Sequence, residues 1–143
     1  MPNPLILQAY KDWLAACTLL EDSLDRYLPY KADKSYSAKE LEFYDSLSFR
    51  FIKSLETAFY FFRSLERDLS SETKDFLRDR LLLIEKTGIV VDAEQWLIAR
   101  DLRNKIAHSY DPDELEKMFP QIQATSLMII QSCKRAKIFI KAK

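Results

Sequence analysis

Near the N-terminus, Leu7, Tyr10, Leu14, Cys17 and Leu20 or Leu24 recur at helical spacing, so the pattern predicts a first helix with one apolar face. Asn3 suits its cap and Pro4 its first position, where no amide donor is needed. The helix must end before Pro29, and a polar connection leads to Tyr36. Ser37-Ala38-Lys39-Glu40 is a capping box. It opens a long second helix to about Leu69, with Leu41, Tyr44, Leu47, Phe51, Leu55, Ala58 and Phe62 along it and Phe59 and Phe61 beside them. At up to roughly 45 Å, this element reaches several neighbours or a partner chain.

After a break at Ser70-Ser71, a third helix is expected from about Glu72 to Lys86, with Phe76, Leu77, Leu81, Leu83 and Ile84 as its apolar positions. Gly88 falls where a left-handed cap is wanted. Ile89-Val90-Val91 is too short for a strand of consequence. Asp92-Ala93-Glu94-Gln95 reads as a second capping box, and Ile98, Leu102 and Ile106 read as the buried stripe of the helix it starts. Asp111-Pro112-Asp113-Glu114 opens a fifth helix, which Pro120 should interrupt or kink. The expected fold is all-α: an antiparallel up-and-down bundle of four main helices plus a shorter one, one domain over residues 1–143.

Composition agrees. A single Gly in 143 residues leaves little material for the tight turns of a β-rich chain. With 22 basic and 22 acidic residues the net charge is zero, so any nucleic-acid grip must be local. One local candidate is the C-terminal run Lys134, Arg135, Lys137, Lys141 and Lys143, which contains no acidic residue. Cys17 and Cys133 are too few for a disulfide framework or a zinc site and read as reduced, buried thiols. No secretory signal and no membrane-length apolar run is evident, so the expected location is the cytoplasm, without membrane contact.

The chemistry concentrates in Arg103-Asn104-Lys105-Ile106-Ala107-His108-Ser109-Tyr110, which holds the only histidine. On a helix running through it, Arg103 and His108 flank the polar side roughly 140° apart. Asn104 lies one turn before His108, Ala107 leaves room between, and Tyr110 sits near the line of Arg103. That set suits phosphoester chemistry. An imidazole gives or takes a proton near neutral pH, and a guanidinium fork holds phosphate oxygens and stabilises charge building at phosphorus. Metal ligation is not expected from one histidine without a nearby Cys/Asp/Glu cluster. Cleavage through the ribose 2′-hydroxyl wants both an acid and a base, and one chain has one histidine. Two opposed faces in a homodimer would supply both.

The same residues, Arg103-Asn104, three positions, then His108-Ser109-Tyr110, resemble the Arg-x4-His-x-Tyr signature of HEPN domains. They are most like the domains paired with minimal nucleotidyltransferases in prokaryotic toxin–antitoxin modules. Arg100-Asp101-Leu102 before the motif and Asp111-Pro112-Asp113-Glu114 after it are similar to that family too, as more weakly is Phe49-Arg50-Phe51. The resemblance implies a dimeric helical bundle acting as a metal-independent, cofactor-free endoribonuclease toxin. Arg103 and His108 would be catalytic in a cleft between subunits, with Asn104 and Tyr110 contacting the RNA. The cognate minimal nucleotidyltransferase antitoxin would silence the toxin by adenylylating Tyr110. The resemblance equally covers relatives that are non-catalytic, substrate-binding subunits of a nucleotidyltransferase.

Overall fold

The computed structural model describes residues 3–70 and 74–142. Among them the chain forms five helices and no strand: α1 (Pro4–Asp25), α2 (Ala38–Leu69), α3 (Leu77–Glu85), α4 (Ala93–Ile106) and α5 (Pro112–Lys141). No helix there is long and apolar enough to cross a membrane. Ser71 of the expected break, the expected start of the third helix at Glu72, and the basic Lys143 lie outside the described residues, and among those described the third helix begins at Leu77.

Several helix starts follow from their caps. Asn3 accepts the Leu5 amide (2.8 Å) in front of Pro4. Ser37 and Glu40 exchange hydrogen bonds as a complete capping box (3.1 and 3.0 Å). Asp111 takes the Asp113 amide ahead of Pro112. At α4, Asp92 holds the Glu94 amide (3.0 Å), and the Ala93 amide goes to the Glu85 carboxylate (2.9 Å), so this end is tied to α3 and not boxed by Gln95. Gly88 has φ +85°, the left-handed backbone expected just past α3.

The faces differ from the pattern in two helices. On α1 the buried line is Ile6, Ala9, Trp13, Ala16, Cys17 and Leu20, and Leu14 is exposed. On α4 it is Trp96, Leu97, Ala99 and Leu102, and Ile98 is 61% exposed. The physical reason is the same in both. Each helix is seated by a tryptophan, the side chain with most apolar area to hide, and small alanines on that face let the backbones approach. Trp13 meets Phe61 (5.4 Å) and Phe62 (5.5 Å), and Phe62 meets Trp96 (4.9 Å) edge to face. Leu41 and Phe76, expected at apolar positions, lie on the surface. Pro120 does not interrupt α5, which runs continuously past it. Its ring is on the exposed side, where water can take the carbonyl that loses its partner.

The long α2 packs against each of the other four helices. Its C-terminus is fixed by a buried ion pair, Glu66 to Arg80 (2.5 Å). Glu66 also accepts the Lys74 amide (2.7 Å), and Arg80 donates to the Lys74 carbonyl (3.0 Å). Removing either partner would strand a buried charge, a loss of about 3–5 kcal/mol. Arg50, part of the motif-like Phe49-Arg50-Phe51, serves the fold: it donates to the Leu19 carbonyl (3.1 Å) and the Ser23 hydroxyl (2.8 Å) at the end of α1. Cys17 and Cys133 are free and buried between α1 and α5, and the contact with Cys133 together with burial pushes the Cys17 thiol well above its usual range. A second aromatic cluster sits at the other end of the core. Tyr30, in the α1–α2 connection, and Tyr44 of α2 pack on Phe119 of α5 (5.6 and 4.9 Å).

Candidate functional site

The octapeptide straddles a helix end. Arg103 and Asn104 belong to the last turn of α4, which stops at Ile106. The His108 amide closes a tighter turn on the Lys105 carbonyl (3.0 Å), and the chain then extends through Tyr110 to the cap of α5. A single helical face carrying all four polar residues is therefore not formed. The cause is downstream. Asp111 precedes a proline and must be extended (φ −72°, ψ 126°), so the chain has to leave the helix before it.

The structure brings Arg103, Asn104 and His108 to one helix terminus, and carries Tyr110 outward. Arg103 is half-buried, while Asn104 and His108 are exposed. Tyr110 is 84% exposed, its hydroxyl reaching only the Ala107 carbonyl at 3.5 Å. Among the described residues, no ion pair engages Arg103, and no side-chain hydrogen bond engages Asn104 or His108. The histidine does not cap the helix. By contrast Arg100, one turn earlier, lies 3.7 Å from Asp101. Arg103 and Lys105 also sit where the carbonyl end of the α4 dipole favours cations.

A cleft of about 380 Å³ lies beside the motif, lined by Lys105 and Ser109 on one side and by Glu114, Lys117, Met118 and Gln121 of α5 on the other. None of the four residues singled out from the sequence lines it. Its own signal was present in the chain: Glu114, Lys117, Met118 and Gln121 recur at the three- and four-residue spacing that makes one helix face. A lysine pair there would attract an anion and the Gln121 amide can donate to it, while the Glu114 carboxylate would repel an anion placed against it. Among the described residues, no group of three His, Cys, Asp or Glu side chains is placed to hold a metal ion. Compared with family models, curated proteins and solved structures, the chain gives no significant match to any of them.

Proposed function

We propose that this chain is an HEPN-like endoribonuclease, the toxin of a toxin–antitoxin pair, working in the cytoplasm as a homodimer of antiparallel up-and-down bundles. Arg103 and His108 of the two copies would face one RNA-binding cleft. One imidazole takes the proton of the ribose 2′-hydroxyl as that oxygen attacks phosphorus. The other gives a proton to the departing 5′-oxygen as the P–O5′ bond breaks, leaving a 2′,3′-cyclic phosphate. Arg103 neutralises the charge gathering on the phosphorus oxygens. Asn104 positions the imidazole or the phosphate, and Tyr110 contacts the RNA.

The observation that carries this reading is the unengaged state of the cluster. Side chains kept for folding find partners within the fold, as Arg50, Arg80 and Arg135 do. Arg103, Asn104 and His108 do not, and they are held at one helix end. The exposed phenol of Tyr110 suits the proposed silencing by a minimal nucleotidyltransferase, because it is open to a modifying enzyme and an added nucleotide would set bulk and negative charge on the segment that follows the α4 terminus. A second reading, a non-catalytic subunit that helps a nucleotidyltransferase bind its substrate, draws on a different observation: within one chain the cleft is lined by Lys105 and Lys117, not by Arg103 and His108.

Inducible expression in bacteria separates the two. The toxin reading expects growth arrest with fragmented total RNA for the wild type, and neither for His108→Ala at equal soluble levels. Normal growth and intact RNA with both proteins would move the assignment to the binding subunit.

A further inference from the structure

A second concave site lies at the corner between α1 and α2, outside the motif. It encloses about 470 Å³, within the range of small-ligand pockets. Its floor is apolar and aromatic, with Tyr36, Phe43 and the 68% exposed Leu28. Its charged lining is three cations, Arg26, Lys31 and Lys34, and one carboxylate, Glu40.

The tyrosine is prepared in a particular way. One face of Tyr36 stacks on the buried Tyr30, with ring centroids 4.9 Å apart and planes within 16°. Its hydroxyl accepts the Lys31 amide (2.9 Å), which fixes the ring. The Lys34 ammonium also lies over the Tyr36 ring, 4.9 Å from its centroid. Lys34 is an exposed side chain whose ion pair, with Glu40 at 3.3 Å, is also exposed, so it is held there weakly. Phe43 carries a similar cover, the Arg26 guanidinium at 6.0 Å, which is also paired with Asp22 (2.8 Å) on the exposed surface. Lys31 has no ion-pair partner among the described residues.

We propose that this corner binds a nucleotide unit. A nucleobase takes the place of the Lys34 ammonium on Tyr36 and extends the Tyr30–Tyr36 stack. The displaced Lys34, with Lys31 and Arg26, meets the phosphate. Stacking uses the planar face that an acidic peptide would leave idle, and the three cations complement the phosphate. The unit could be a free mononucleotide or one residue of an RNA strand, since both present the same base and phosphate.

The strand has a structural argument of its own. The Ala32 amide of this corner donates to the Glu116 carboxylate (3.3 Å), and Tyr30 packs on Phe119. Glu116 and Phe119 lie in the opening turns of α5, directly after the motif. The corner and the motif therefore share one end of the molecule.

The test is titration of the full chain, followed by amide NMR shifts and calorimetry, with uridine monophosphate and with a short 2′-O-methyl oligouridine. The methylated strand has no 2′-hydroxyl to attack phosphorus, so binding is read independently of any nuclease activity. The expected result is shifts at Lys31, Lys34, Tyr36 and Phe43, with affinity falling tenfold or more in Lys31→Ala/Lys34→Ala. Both substitutions are on exposed side chains, and an unchanged melting curve confirms the fold. Binding of the oligomer alone identifies the strand as the ligand, and comparable binding of the monophosphate identifies a free nucleotide. Absence of binding by both probes, shifts confined to the motif, equal affinity in the double variant, or equal binding of poly-glutamate would each overturn the proposal.

Discussion

Two serines of α5 are equally hidden from solvent, yet their hydroxyls meet different fates. Ser132 donates to the Ile89 carbonyl (2.7 Å), which Arg135 also reaches (3.1 Å). Ser126 has no hydrogen-bond partner among the described residues. A satisfied buried hydroxyl contributes about 0.5–1.5 kcal/mol, and a buried unsatisfied one costs about 1–3. Ser132→Ala should therefore lower stability by about 1 kcal/mol. Ser126→Ala should be neutral or stabilising. Denaturant midpoints at an unchanged slope measure both, and equal losses would show that the Ile89 contact contributes nothing. The same reasoning sets Arg135 apart from the rest of the C-terminal basic run: it is spent on the α3–α4 connection. Residue by residue, the motif is the reverse case: the side chains of Arg103, Asn104 and His108 have no hydrogen-bond or ion-pair partner among the described residues.

At the scale of the helix, α4 is oriented by Trp96 and not by its branched aliphatics. Trp96→Ala should cost about 3–5 kcal/mol, because it empties the junction with Trp13 and Phe62. Ile98→Ala should change monomer stability by less than about 0.5 kcal/mol, since the side chain faces solvent. Thermal and denaturant unfolding check this pair, and a large loss for Ile98→Ala in the monomer would reverse the face. The element also shows what the sequence could and could not convey. Starts at Pro4, Ala38 and Pro112 were legible because caps and first-turn prolines act locally. Gly88 was legible for the same reason. The faces of α1 and α4 were not, because a count of leucines and isoleucines gives alanine and tryptophan too little weight. Nor was the end of α4. Ala107 ends the helix in ordinary helical backbone (φ −69°, ψ −18°) with no glycine or proline beside it, and the proline that forces the exit, Pro112, stands five residues on, so nothing local marks the end. The identities of the candidate residues and their clustering at one terminus were readable, and their angular arrangement depended on the following element.

Across the whole molecule, the chain carries no net charge, so any hold on RNA comes from where its cations are collected. Arg103, Lys105 and Lys117 stand around the α4–α5 turn, and Lys31 and Lys34 stand at the α1–α2 corner joined to the same end of α5 by the Tyr30–Phe119 contact. Phosphate binding built this way weakens steeply with salt. The most direct test of the central claim is cleavage of a labelled RNA by purified wild type, Arg103→Ala and His108→Ala, with a metal chelator present, alongside molar mass and melting curves. The account predicts dimers that melt within about 1–2 °C of one another, with products ending in a cyclic phosphate for the wild type and rates reduced by at least about 100-fold in both variants. Cleavage by His108→Ala at the wild-type rate, or a wild-type dimer with no cleavage at all, would contradict it.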